Sequence, residues 1–557
     1  MKKLFCILLL ACMLLPLLPG MAHAEEYDPI VKIGLYYDSA ALPAANLQNV
    51  SGMDVGYAFG YYDADRNFVS TYEYVDSAFI TVVKNTNLWR AGSTYSDIPL
   101  AVYDEAMGAY SLQIAEYFTL EDAVLLRDQI CQLGIDAYLC YTPGGFRIRM
   151  CQFMTGEEAD ANLESVQALV GWPLERRIPN GTCYTVVKTG TCDILYQFDM
   201  LGNYPLGIQP MSRQTWFKGY KYYGGFEYYR ASGNNLNVIN MVALSDYVKG
   251  VIPYEMSSSW PIEALKAQAL CAKCYTLNNL SRHKSKGFDL CNTTDCQVYY
   301  GTNRATDHTD AAVDGVSGLY VLYDGQICQT YYHSTSGGHT EDVKNIWGRE
   351  IPYLKGVEDT YLEVFYPFKH TLTLEDITWI LKNKGYVSEN VVDLYVSEFS
   401  PSGNVIGLTA VLESGKTKTF TGDKARTALN SPTKGISIGS HRYTINGIGA
   451  DGSGLNVNGT AVDASNLYVV GADGEHYALP AGSLFALTAN GLQEIQRSDA
   501  PVMDVPEGTY VIAGTGSGHN IGMSQWGAHA MANQGFTYEE IIKFYFTGVT
   551  VDYYSGN

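Results

Sequence analysis

After its first two dozen residues the chain has no run approaching the ~20 consecutive apolar residues that a membrane-spanning helix needs, so no later segment is expected to anchor it by helix insertion. It is also poor in basic charge. Thirty-seven Lys and Arg stand against 58 Asp and Glu, a formal −21, which repels polyphosphate and argues against nucleic acid as a partner. It shows no fixed internal period, which excludes a repeat array. Gly514-x-Gly516-x-Gly518 comes without the lysine of a phosphate loop or the βαβ setting of a dinucleotide site. Sugars are read by hydrogen bonds and aromatic faces and remain compatible with this charge. The 44 tyrosines suit such recognition, because each ring joins an apolar face to a polar tip, although for any single tyrosine a place in a β-sheet face is the plainer reading.

What is present begins with Met1-Lys2-Lys3, an apolar stretch from Leu4 to Leu18, and Ala22-His23-Ala24 before Glu25-Glu26-Tyr27, the three-part layout of a secretory signal. The expected product is secreted, extracytoplasmic and soluble; loss of Lys2 and Lys3 takes its charge to −23. Leu9-Leu10-Ala11-Cys12 resembles a lipoprotein cleavage box, but a cut there would strand Met13 to Ala24 downstream. Cys6 and Cys12 leave with the leader. The ten remaining cysteines permit disulfides in an exported chain, yet its length is enough to fold on an apolar core without them.

A length of 557 residues suggests about three to four folded units. The fold class expected is α+β, multi-domain and β-rich: 1–24 a signal peptide, 25–105 a β-rich entry module, and 106–175 a small βαββα unit. The stretch 180–374 is expected to be the main core, 375–506 an accessory β insertion, and 507–557 the end of the core. The βαββα order rests on strand-like Tyr110 to Tyr117, helical spacing over 120–133, two strands flanking Pro143-Gly144-Gly145, and helical composition over 156–170. Its Tyr110-Ser-Leu-Gln-Ile114 opening, its Leu120-to-Asp128 helix and its Phe146-to-Phe153 strand resemble the SPOR domain, which implies binding to glycan strands stripped of stem peptides. A repurposed α/β spacer is the alternative.

The chemistry concentrates after an apolar strand at 236–243 and a short turn of helix from Asp246 to Gly250. There Val251-Ile-Pro-Tyr-Glu255-Met256 sets one carboxylate among apolar neighbours, an environment that favours the neutral acid a proton donor needs. A helix is expected next, capped by Ser259 with Pro261 in its first turn, its small residues Ala264, Ala267, Ala269 and Ala272 permitting close approach. On it Lys266 follows Glu263 by three residues, placed to pair with it or to orient substrate.

These two blocks together resemble the core motif of the SpoIID/LytB family. Three further blocks occur in family order: Tyr331-Tyr-His-Ser-Thr-Ser-Gly-Gly-His-Thr-Glu341, then Trp347-Gly348 with Ile351-Pro-Tyr-Leu354, and His519-Asn-Ile-Gly-Met-Ser-Gln-Trp-Gly-Ala528. The resemblance covers about half the chain. It implies a cell-wall-associated lytic transglycosylase that cuts denuded peptidoglycan between N-acetylmuramic acid and N-acetylglucosamine to 1,6-anhydro ends, in sporulation or wall remodelling, with Glu255 catalytic. Ordinary glycoside hydrolysis uses two carboxylates; here the muramic 6-hydroxyl attacks C1 itself, so one glutamate suffices. Lys266, Tyr332, Ser334, Ser336, Gly337, Gly338 and Gln525 are the candidate substrate contacts. The alternative is a glycan-binding amidase enhancer that does not cut, with a cell-wall amidase as partner. A surface adhesin would account for the tyrosine-rich strands but not for the ordered blocks.

No cofactor is expected for cleavage. Cys291 and Cys296, with His283 or Asp295, form a candidate zinc half-site, with a disulfide or free thiols as alternatives. Some family members resemble this arrangement with a His where Asp295 stands. Cys271 and Cys274, on a helix, are expected to be packed apolar residues, and Cys328 near His333 and His339 lacks the context of a cysteine peptidase.

Overall fold

The computed structural model describes residues 27–230, 235–447 and 505–554, and, between 455 and 495, the backbone of three short hairpins. The expected signal peptide and part of the 375–506 stretch lie outside the described residues. The protein is mixed α and β, strand-rich and built on several sheets.

Two sheets carry most of it. One has seven strands in the order Leu290–Cys291, Ile30–Tyr36, Leu236–Ala243, Gly225–Arg230, Leu206–Pro210, Tyr57–Tyr62 and Phe68–Tyr74. Its third strand, Leu-Asn-Val-Ile-Asn-Met-Val-Ala, is buried along almost all its length and therefore reads as a continuous apolar run rather than an alternation. The two asparagines in that run are both buried. Asn240 is satisfied by donating to the Tyr223 and Gly225 carbonyls and accepting from the Tyr299 hydroxyl.

The second sheet has ten strands, and its edge is the βαββα unit. Strands Tyr110–Ile114, Ala137–Thr142 and Gly145–Phe153 and helices Leu120–Gln132 and Gly156–Val170 fall where the periodicity put them, and Leu174–Arg177 adds a fourth strand against the first. The four align as 4-1-3-2. The unit does not stand apart: Ala137–Thr142 pairs in parallel with Ile194–Phe198, so the sheet runs on through strands of the preceding and following stretches.

Helices Leu244–Glu255, Ile262–Asn278, Asp307–Asp314, Gln525–Asn533 and Tyr538–Tyr545 pack together beside the sheets. Two expectations are corrected here. The helix does not stop at Gly250 but continues through Pro253 to Glu255, because Leu244, Tyr247, Val248, Val251 and Ile252 form one buried face at helical spacing. Its neighbour begins at Ile262 with Pro261 at the cap position, while Ser259 lies outside and bonds Ser257. The stretch after 374 also departs from the all-strand expectation. It opens with helix Leu374–Asn383, set by a capping box between Thr373 and Asp376, and packs a second apolar core around Ile377, Ile380, Leu394, Leu408 and Ile512. Strand Thr509–Thr515 pairs with both Pro367–Thr373 and Tyr443–Ile445, stitching this region to the chain's final segment.

Candidate active site

Glu255 is the last residue of its helix, and the helix position is fixed by close packing: a Cβ on Gly250 would lie 2.3 Å from the Tyr299 ring. Its Oε1 accepts from the Val298 amide at 3.1 Å and its Oε2 from Gln525 Nε2 at 3.4 Å, while the Tyr332 hydroxyl also faces the carboxyl. Burial pushes the Glu255 carboxyl above the ordinary glutamate range, and its contacts with Val298, Gln525 and Tyr332 offset only part of that effect. No neighbouring carboxylate contributes to the shift.

Chain segments far apart in sequence are joined here by a very short ladder. Tyr332–His333 runs parallel to Met523–Ser524, and Ser524 caps helix Gln525–Asn533 through its side chain, which puts Tyr332 and Gln525 on either side of the acid. Tyr332 donates to Gln297 Oε1 at 2.9 Å, and Gln297 in turn donates to Thr276 Oγ1 and the Tyr247 hydroxyl. This buried network fixes the tyrosine.

The other candidate residues separate. Ser336 is fully buried and donates to Asp359 Oδ2 at 2.7 Å, holding the loop. Gly337 has φ +72°, and a Cβ there would sit 2.5 Å from the Thr515 carbonyl; it is required for close packing of the two glycine-bearing loops. Ser334 is half-buried, and its carbonyl accepts from the Trp526 amide. Gly338 lies where a Cβ would approach the Arg442 guanidinium. Lys266 is not brought to Glu255: its ammonium bonds Glu263 at 2.8 Å and lies over the Tyr538 ring. Glu263 is thereby engaged, since its other oxygen accepts from the Tyr538 amide. Glu341 accepts from Ser400, Ser402, Asn404, Asn345 and the Asp342 amide, so neither acid is free for a second catalytic role.

The chain matches the family model for Stage II sporulation protein (SpoIID) over residues 232–323. It is 30% identical over 338 residues to an uncharacterized protein of Brachyspira hyodysenteriae, covering 60% of this chain and 73% of that one. It is similar to Stage II sporulation protein D of Bacillus subtilis, 26% identical over 56% of this chain and 75% of the relative. Over residues 232–323 the chain is SpoIID-like. It is also 29% identical to the amidase enhancer of Bacillus subtilis, over 55% of this chain but only 40% of that longer protein.

Sequence reasoning missed two parts of this site. The Val298 amide is a backbone donor and carries no side-chain signature. An aromatic wall also stands beside the acid: Trp260 packs on Trp526 at 4.8 Å between ring centroids and on His529 at 4.7 Å, and Tyr366 meets Trp526 at 6.0 Å. Trp526 was in plain view next to Gln525, but Trp260 and Tyr366, which meet it, lie 160 and more residues away.

The cysteines are all free among the described residues, and Cys271, Cys274 and Cys328 are buried. Donor atoms of His283, Cys291, Asp295 and Cys296 lie within 4.8 Å of one another. The Cys296 thiol beside it holds Cys291 down to about 4, as a thiolate, and His283 Nε2 is 3.3 Å from Cys296 Sγ. Two sulfurs, an imidazole and a carboxylate make a four-donor set compatible with zinc.

Proposed function

We propose that this protein is a lytic transglycosylase acting on denuded peptidoglycan strands, with Glu255 as acid and then base. The observation that carries this reading is a half-buried carboxyl that desolvation shifts toward its protonated form, with no carboxylate among the described residues contributing to that shift and an aromatic wall alongside. In the first step the Glu255 carboxyl gives its proton to the glycosidic oxygen, and the C1–O4 bond between muramic acid and N-acetylglucosamine breaks. In the second the Glu255 carboxylate takes the proton of the muramic 6-hydroxyl as O6 bonds to C1, giving the anhydro ring and restoring the acid. Val298 and Gln525 hold the carboxylate between the steps, and Tyr332 orients it.

The site acts outside the cytoplasm on this reading, after removal of the leader, and the βαββα unit holds the glycan strand in the manner of a SPOR domain. The process served is sporulation or wall remodelling. His283, Cys291, Asp295 and Cys296 would hold a structural zinc that braces the loop leading to Val298. Incubation with amidase-treated glycan strands should yield anhydromuramyl ends by mass spectrometry, and the Glu255→Gln protein should yield none.

The amidase enhancer among the relatives favours a second reading, in which the same groove binds glycan for a cell-wall amidase without cutting. Glycan that sediments wild type and Glu255→Gln equally, with no strand shortened by either, would establish that reading in place of the first.

A further inference from the structure

We infer that Arg442 is a recognition residue for a carboxylate carried by the glycan, the free lactyl group of denuded muramic acid; this rests on the glycan reading above. Arg442 stands at a cavity of about 820 Å³ lined by Ser400, Ser402, Thr444, Gly514 and Thr515, where the region after residue 374 meets the glycine-bearing loops. Its Nη1 donates to the Ser402 carbonyl at 2.9 Å, which fixes the guanidinium, yet no ion pair among the described residues involves it. In a chain with 58 acidic and 37 basic residues, a half-buried arginine with no carboxylate partner among the described residues is conspicuous. Glu341, which reaches this wall through Ser400 and Ser402, has its charge engaged by five donors.

A run of contacts links Arg442, on the cavity wall, back to Glu255. Gln525 bonds the acid, and its neighbour Trp526 meets Tyr366. Tyr366 and Phe365, both nearly half exposed, accept from the Gly516 amide through their carbonyls. The Phe365 ring and the Arg442 Nε stand 3.8 and 3.5 Å from the space beside Gly338 where a side chain would be. Gly338 leaves that space open. A strand lying along Trp526, Tyr366 and Phe365 therefore brings a substituent up to the guanidinium, and a planar fork of N–H donors suits a carboxylate.

The test measures binding in the Glu255→Gln background, so that nothing is cut. Denuded strands present the lactyl carboxylate, peptide-bearing strands have it consumed as an amide, and N-acetylglucosamine oligomers lack it. Arg442→Gln should weaken binding to denuded strands about tenfold and leave the N-acetylglucosamine oligomers unaffected, which also shows the variant is folded. Arg442→Lys should recover part of the loss. Equal loss on all three ligands, equal loss on peptide-bearing and denuded strands, or no loss on denuded strands would overturn the assignment. If Glu255→Gln with Arg442 intact binds none of the three, the glycan reading itself fails; if it binds them regardless of Arg442, only this inference does.

Discussion

Replacing Glu255 with Gln should move activity and stability in opposite directions. The amide keeps the shape of the side chain, and its oxygen can still accept from the Val298 amide at 3.1 Å. The NH2 would face Gln525 Nε2, now 3.4 Å from the acid, and a turn of the Gln525 amide presents its oxygen instead. What is lost is the transferable proton. General acid catalysis contributes about 10²- to 10⁴-fold, so cleavage should fall by that factor or more, about 3 to 5 kcal/mol of barrier. On the stability side the sign follows from the raised carboxyl: the folded protein binds that proton more tightly than the unfolded chain does, so folding loses free energy as pH rises from the unfolded glutamate value through the folded one. At pH 7.5 the variant is free of that loss and should be equal to wild type or more stable, by less than about 1 kcal/mol. Chemical denaturation of both proteins at pH 4 and 7.5, beside the anhydromuramyl assay, reads both effects. A variant destabilised by 2 kcal/mol or more at pH 7.5, or one that retains a tenth of the activity, refutes the reasoning.

Cleavage by the wild type should decline as pH rises through the elevated Glu255 value, a limb absent from binding measured over the same range. Tyr332→Phe removes the hydroxyl shared by Gln297 and the acid; we expect about a tenfold loss of activity with about 1 kcal/mol of destabilisation by urea titration. Gly337→Ala places a methyl 2.5 Å from the Thr515 carbonyl at φ +72° and should cost about 2 kcal/mol or more by thermal unfolding. Burial holds His333 neutral down to about 4, so its contribution to stability is complete above the unfolded value near 6.5 and is lost as pH falls toward 4, on the order of 3 kcal/mol, and His333→Gln should flatten that slope. Metal analysis of protein produced with zinc should find one ion per chain, and Cys291→Ser should release it; metal-free wild type of undiminished stability would count against the site.

The parts legible in the sequence were those set by local periodicity. The βαββα stretch falls at its expected positions because its helices and strands each bury one face, with Ala123 and Ile130 inward on one helix and turn residues between the strands. The helix read as only a short turn from Asp246 to Gly250 extends to Glu255 because eight of the twelve residues from Leu244 to Glu255 are buried, and the Pro253 ring is tolerated near the last turn. Thr373 and Asp376 gave a readable capping signal for Leu374–Asn383 that the surrounding strand-like composition obscured. Glu255 and Gln525 were found through motif blocks. The spacing of Lys266 fitted either role, and the structure shows the pairing with Glu263, with Tyr538 packed against both.

The acid's environment depends on distant segments, which gives the site a particular vulnerability. Val298, Tyr332 and Gln525 come from three separate stretches, and the parallel ladder between Tyr332–His333 and Met523–Ser524 is only two residues long. So short a ladder cannot hold itself. Support comes from buried groups flanking it: Asn520, fully buried, donates to the Ser336 carbonyl at 2.6 Å and accepts from the His441 amide, tying both glycine-bearing loops to the region after 374. That region is therefore a brace for the Glu255 pocket as well as a wall of the proposed groove. Asn520→Ala leaves the Ser336 carbonyl and His441 amide buried without partners, at about 1 to 3 kcal/mol each. If the brace matters to catalysis, this variant should lose glycan cleavage at temperatures where the ten-stranded sheet is still folded by far-ultraviolet circular dichroism. Loss of activity and of sheet signal at one temperature would mean that the fold melts as a single unit and that Asn520 serves stability alone.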